Sequence, residues 1–248
     1  MPLLPDHELI RPFLEANRPS TNALHYQVLG TTGELPRWVR VDDLKQPRAV
    51  IVRTRRFALF ATDSRAAGRL VDELPRRYRM HFRATPTRLM RVIRRHWRGP
   101  DRGRRIWTDS CYLYYLEPGR LVIYRTHRLT RLVPADADLI TCHWPYGRRL
   151  EHIRQRIAFG PAFGIRRQGR LAAWTLTHED GSMGFLHVLP EFRGQGMART
   201  LTTAIAERLL RRGIQPFMHI VKTNRASILL TESTGFTRGG EFAWFGTE

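Results

Sequence analysis

The chain has 248 residues, 42 Lys and Arg against 22 Asp and Glu, a formal net charge of +20 and 42% hydrophobic residues. That apolar fraction excludes a disordered chain, and no apolar run approaches the length of a membrane span. The charge points to an anionic partner: a nucleic acid, an anionic surface or a phosphorylated cofactor.

Lys45 and Lys222 are the only lysines, so the same charge also reads as a compositional bias toward arginine. Cys111 and Cys142 have no metal-ligand spacing and imply no disulfide framework. The opening MPLLPDHELIRPF is broken by prolines and charges and lacks a signal-peptide core. These features predict a soluble, cytoplasmic protein without a metal.

Met1–Ser20 reads as a short helical lead with Asp6 as N-cap. Ala23–Leu29, Trp38–Val41, Ala49–Arg53 and Phe57–Ala61 read as strands, with a loop at Gly30–Pro36. Asp63 or Ser64 caps a helix that runs to Leu74 and stops at Pro75. Tyr78–Phe82 reads as a strand and Thr85–Trp97 as a helix with an apolar face of Leu89, Val92, Ile93 and Trp97. Arg76–Arg105 holds twelve arginines and a single acid, Asp101. It reads either as a solvated face beside a loop at Gly99–Arg104, or as a docking surface for RNA or a cofactor phosphate.

Ser110–Leu116 and Leu121–Arg125 read as strands joined by a turn at Glu117–Gly119. Arg128–Leu132 follows as a strand, Asp138–Trp144 is ambiguous, and Pro145-Tyr146-Gly147 breaks it. Arg148–Phe159 reads as a helix. Phe163–Arg167 and Leu171–Thr177 form a hairpin across Gln168-Gly169. Met183–Leu189 is a strand that Pro190 ends. Met197, Leu201, Ile205 and Leu209 make one helix face, and Gly213 closes that helix. Phe217–Val221 is a strand, Arg225–Thr234 a helix closed by Gly235, and Thr237–Phe245 a hairpin about Gly239-Gly240.

The strand before Pro190 feeds Arg193-Gly194-Gln195-Gly196-Met197-Ala198 and then the helix. Glycines at a helix N-terminus leave backbone N–H groups free and side chains out of the way, which suits a phosphate. A dinucleotide-binding reading fails, because Arg199 stands where a third glycine is needed. No H-E-x-x-H, P-loop or G-x-S-x-G motif is present.

Arg193–Ala198, placed after Val-x-Pro-Glu and followed by Asn224 and Gly235-Phe236, resembles the GNAT superfamily of acyl-CoA-dependent N-acyltransferases. The run His219–Ser227 is similar to the glycine N-acyltransferase branch. The resemblance implies an α/β fold of two tandem GNAT-like halves, each a mixed sheet flanked by helices. The halves would be a degenerate N-terminal one at 1–127 and an acyltransferase domain at 128–248. Asp63–Gly68 would be the relic of the glycine turn in the degenerate half.

The resemblance also implies a cosubstrate, acetyl-CoA or another acyl-CoA, and a small-molecule amine acceptor such as an amino acid. Arg193, Gly194, Gln195, Gly196, Met197 and Ala198 would hold the CoA pyrophosphate. Leu186, His187 and Val188 would pair with the pantetheine arm, and a backbone N–H near Val188 would polarise the thioester carbonyl. Asn224 would contact the pantetheine, or simply cap a helix.

The proton-handling positions depart from the pattern. Ser182 stands where a general-base Glu is expected, eleven residues before Arg193. Glu179 and Asp180 lie in the adjacent turn, close enough to act directly or through a water. His187 has a suitable intrinsic pKa, but strand alternation places it on the face opposite Ser182. His219 is a further candidate. Thr231 stands where an acidic Tyr is expected, leaving Ser227 to hydrogen-bond the leaving thiolate. The candidate catalytic set is therefore Glu179, His219 and Ser227. Two other functions fit the same residues: an RNA-directed acetyltransferase acting on aminoacyl-tRNA, with Arg76–Arg105 as its guide, and a non-catalytic CoA- or nucleic-acid-binding protein of this fold.

Overall fold

The computed structural model describes residues 2–30, 36–75, 81–97, 106–144 and 150–247. The expected Gly30–Pro36 and Gly99–Arg104 loops, the Pro145–Gly147 break and the arginines at 76–80 and 98–105 fall wholly or largely outside them. The elements in order are helices α1 (Arg11–Ala16) and α2 (Asn22–Leu29), strands β1 (Trp38–Val41), β2 (Ala49–Arg53) and β3 (Phe57–Ala61), helix α3 (Ser64–Asp72), β4 (His81–Pro86), α4 (Met90–Trp97), β5 (Ile106–Tyr115) and β6 (Thr130–Arg131). There follow α5 (Ala137–Cys142), α6 (Leu150–Phe159), β7 (Ala162–Arg167), β8 (Arg170–Thr177), β9 (Met183–Val188), α7 (Met197–Leu210), β10 (Phe217–Val221), α8 (Arg225–Ser233) and β11 (Thr237–Thr247).

The chain divides into two compact units. One comprises Met1–Leu113, His219–Thr223 and Gly239–Glu248; the other comprises Tyr114–Met218 and Asn224–Arg238. In the first, a seven-stranded sheet runs in the order β1-β2-β3-β4-β11-β5-β10. Alternation along β2 supplies both of its faces. Ala49 and Ile51 pack with Ala66, Leu70 and Ile93 of α3 and α4, whereas Val50 and Val52 pack with Ile10, Leu14, Leu24 and Val28 near α1 and α2. Asp63 caps α3 by accepting from the Arg65 N–H, as its position predicts.

The second unit is built on a four-stranded antiparallel sheet, β6-β7-β8-β9. Trp174, Leu176 and Phe185 pack against Ile140 of α5 and Ile153 and Ile157 of α6. Ile165, Ala172 and Ala173 on the other face meet Met197 and Leu201 of α7. Sheet faces covered by helices are the expected burial for such apolar strands.

Several local expectations change; Thr85 and Pro86, expected to open a helix, end β4. Residues 22–29 form α2, because Leu24 and Val28, four apart, both reach the cluster with Ile10 and Leu14. The ambiguous stretch from Asp138 is helical in α5. Leu121–Arg125 is not a strand; its backbone bonds go to Thr234 and to the Thr203 hydroxyl rather than to a sheet ladder. Thr237–Thr247 is one eleven-residue strand with no hairpin. A side chain on Gly239 would touch Leu113, so that glycine serves close packing and not a turn.

Candidate functional site

The glycine turn sits at the start of α7. Gly194 and Gly196 have φ of 77° and 82°, and Gly196 is the N-cap, with no side-chain cap bond. A left-handed N-cap is available cheaply only to glycine. The first N–H groups of a helix have no partner within it, so those at Gly196, Met197 and Ala198 are available to a ligand. Met197 is buried, while Arg193 to Gly196 are exposed. Arg193 folds back so that its Nε donates to the Val188 carbonyl at 3.2 Å, tying the turn to β9.

A strap at Arg120–Leu129 runs along the polar side of α7. The Thr126 and Thr200 hydroxyls lie 2.9 Å apart, the Thr203 hydroxyl bonds both N–H and C=O of Tyr124, and Arg125 pairs with Glu207 at 2.8 Å. Thr200, Thr203 and Glu207 form a stripe at helical spacing that sequence reasoning passed over. At the strap's end, the His127 Nε2 lies 2.6 Å from the Gln195 carbonyl and its Nδ1 lies 2.7 Å from an Arg167 guanidinium nitrogen.

β9 is an edge strand of the four-stranded sheet. The Leu189 N–H donates to Ala172 of β8 at 3.0 Å, so alternation turns the Val188 N–H outward, to the free edge. The strand also carries a bulge. Trp174 pairs with His187 and Leu176 with Gly184, so two residues of β8 span three of β9. Phe185 lies in the bulge with a φ of 53°, and the Thr175 hydroxyl donates to the Gly184 carbonyl.

The bulge corrects the expected facing of His187. Met183 and His187 are four apart, yet their partners Thr177 and Trp174 are three apart and so point to opposite faces. The extra residue reverses the alternation, and His187 stacks on Trp174 at 4.8 Å, with His143 4.7 Å away. Its Nε2 is buried without a hydrogen-bond partner among the described residues. Burial, then the neighbouring His143 and Arg193 charges, push its pKa below the usual histidine value, so the ring is neutral at pH 7.

The other candidates are engaged locally. The Ser182 hydroxyl donates to the Asp180 carboxylate at 2.6 Å, the Ser182 N–H does so at 3.1 Å, and both residues are buried. Glu179 pairs with His152 of α6 at 3.4 Å. Asn224 caps α8 by accepting from the Ser227 N–H at 3.1 Å, which realises the capping role proposed for it. Thr231, at the expected Tyr position, turns its hydroxyl to the Met218 sulfur at 3.4 Å. His219 lies on β10 in the first unit, its ring 5.0 Å from Phe242 and 5.9 Å from Trp244. The second unit thus brings together the turn and the Val188 edge, whereas the proton-handling candidates are scattered.

Some of the described arginines between 81 and 97 have structural partners. Arg88 bonds the Ala61 carbonyl and lies over the Phe60 ring, and Arg94 reaches Thr108 at 3.2 Å. Among the described residues no group of three or more His, Cys, Asp or Glu could hold a metal ion, and no helix is long and apolar enough to cross a membrane.

A family model described as FR47-like protein matches residues 162–245. Over 102 residues the chain is 37% identical to a mycothiol acetyltransferase of Thermobispora bispora, covering 36% of this chain and 35% of that protein. Over 110 residues it is 27% identical to a glycine N-acyltransferase of Bos taurus, covering 43% and 37%. The matched segments span little more than a third of the length of these relatives. A crystal structure of a Drosophila protein superposes with a TM-score of 0.75 at 18% identity, covering 97% of this chain and 86% of that one. A tandem GNAT protein from the clavulanic acid biosynthesis pathway superposes at 0.56 with 12% identity, covering 99% and 97%. At those identities the likeness is one of fold.

Proposed function

We propose that the chain is a GNAT-superfamily protein and that it transfers an acyl group, acetyl in the simplest case, from acyl-CoA to a primary amine; the FR47-like match over residues 162–245 and the fold shared with a tandem GNAT protein support this reading. The single observation that carries this is the pairing of a two-glycine turn, at a helix N-terminus with no side-chain cap bond, with a bulged edge strand tied to it through Arg193 and Val188. The halves are taken as 1–127 and 128–248, with the acyltransferase site in the second.

In this reading the N–H groups of Gly194–Ala198 hold the CoA pyrophosphate. The pantetheine lies along the edge at Leu186–Val188. The Val188 N–H donates to the thioester oxygen and stabilises the negative charge that develops there. An amine is mostly protonated near pH 7, so a proton must leave before attack. The neutral amine then forms the C–N bond and the C–S bond breaks; the nitrogen sheds a second proton as it becomes an amide, and the departing thiolate takes it up, so CoA leaves as the thiol. Glu179, in the same unit as the turn, is assigned the first proton, and Ser227 a hydrogen bond to the leaving thiolate. The small-amine acceptor draws support from the mycothiol and glycine acyltransferase relatives.

The test is to incubate the protein with acetyl-CoA and a metabolite extract, and to search by mass spectrometry for products heavier by one acetyl group. Acetylated small amines that form only with protein and acetyl-CoA together are the expected result. No acetylated product, with acetyl-CoA and with longer acyl-CoAs alike, contradicts it.

A further inference from the structure

The peptide that joins Gln195 to Gly196 is planar and trans, so its C=O and N–H point in opposite directions. The C=O is held by His127 at 2.6 Å. A carbonyl only accepts, so His127 Nε2 must carry the proton that it donates. The same ring's Nδ1 faces a guanidinium nitrogen of Arg167, which only donates, at 2.7 Å. Nδ1 is therefore the bare acceptor, and Arg167 fixes the tautomer that His127 needs. Donation to the C=O on the strap side directs the Gly196 N–H to the opposite side.

The geometry points to His127 as a positioning residue for the anion-binding turn, acting through the Gln195–Gly196 peptide and itself set by Arg167. This rests on the reading of that turn as the pyrophosphate seat. His127 touches no phosphate in this arrangement. It holds one N–H of the cradle aimed before the ligand arrives, so that less ordering accompanies binding. The strap supplies the rigidity: Thr126 is fastened to Thr200, and Tyr124 to Thr203, on successive turns of α7.

The test uses the full chain, isothermal titration with acetyl-CoA, and inorganic pyrophosphate as the competing probe. H127F keeps the ring's volume and removes both polar atoms. It raises the acetyl-CoA Kd about tenfold, the scale of one well-placed hydrogen bond. It weakens pyrophosphate competition by the same factor, because the defect lies in the turn. H127Q carries an N–H and an oxygen that can serve both partners, and it restores affinity to within about threefold of wild type. R167Q falls between the two.

A merely structural role would not be rescued by Gln, nor appear equally in acetyl-CoA and pyrophosphate. The proposal is overturned by H127F binding as tightly as wild type, by H127Q binding as poorly as H127F, or by pyrophosphate competing unchanged. If H127F does not fold, R167Q and H127Q decide it: both binding as wild type supports only a packing role for the ring and overturns the proposal, whereas R167Q weaker than H127Q sustains it. A wild-type protein that binds neither probe overturns the acyl-CoA reading itself.

Discussion

Gly196→Val weakens acetyl-CoA binding by roughly a hundredfold or more in a protein that still folds. Gly196 is the N-cap of α7 and holds φ 82°, ψ −2°. A β-branched residue is a genuine outlier there. An added Cβ itself meets no clash, since its nearest neighbour is the Thr126 hydroxyl at 3.5 Å. The strain is therefore in the backbone, and it is relieved by rotating the turn. Rotation takes the N–H groups of Gly196 and Met197 off any phosphate between them. Hydrogen bonds to a charged group contribute about 1.5–3 kcal/mol each. Loss of two weakens binding by roughly a hundredfold or more. Titration of the purified variant reads this directly, and a Kd within threefold of wild type contradicts the role given to the turn.

Gly235→Ala has the largest expected effect on stability. Helix α8 ends in a Schellman motif: the Gly235 N–H donates to Glu232 and the Phe236 N–H to Thr231, with Gly235 at φ 93°. A Cβ there would lie 1.9 Å from the Arg120 carbonyl oxygen and 2.9 Å from its carbon. Those are backbone atoms at the start of the strap, and the adjacent Val122 N–H bonds Thr234, so nothing moves aside easily. Conformational strain and the collision together cost about 3 kcal/mol. For a chain of this size that lowers the thermal midpoint by roughly 6–12 °C. Gly239→Ala is the control. Its added Cβ comes no nearer than 3.4 Å to any atom, that atom being in the Leu113 side chain, and it costs under about 1 kcal/mol. Equal midpoints for the two variants would contradict the account.

These two glycines also show what sequence could and could not reveal. The run from the Gln168-Gly169 hairpin to α8 was legible because its signals are local. They are a turn dipeptide with positive φ at both residues, a proline ending β9, a four-residue apolar stripe on α7 and a glycine closing each helix. The anion turn was legible for the same reason. Gly239 looks like Gly235 in sequence, yet one packs against a strand neighbour and the other turns the chain, and only tertiary contact separates them.

The misreadings share one cause. Leu121–Tyr124 is an apolar, β-branched and aromatic run like a buried strand, but its hydrogen bonds are supplied by Thr203 and Thr234, distant in sequence. Residues 23–29 are apolar enough for a strand, and α1 claims them as a helix. His187 faces Trp174 because a bulge at Phe185 adds one residue, and a one-residue slip reverses a period of two. No residue type announces that bulge; Phe185 holds a positive φ usually left to glycine. The catalytic candidates were the least legible, since the positions that family resemblance would use carry Ser182 and Thr231, both turned to other partners.

The central claim, that acyl-CoA seats on the Gly194–Ala198 turn with its thioester at Val188, has a direct measurement. It is titration of 15N-labelled protein with CoA and then acetyl-CoA, followed through the backbone amide resonances. Saturable shifts are expected at Gly194, Gly196, Met197 and Ala198 with both ligands, and a further shift at Val188 with acetyl-CoA. Saturable binding that leaves those amides unmoved, or no binding at all, contradicts it.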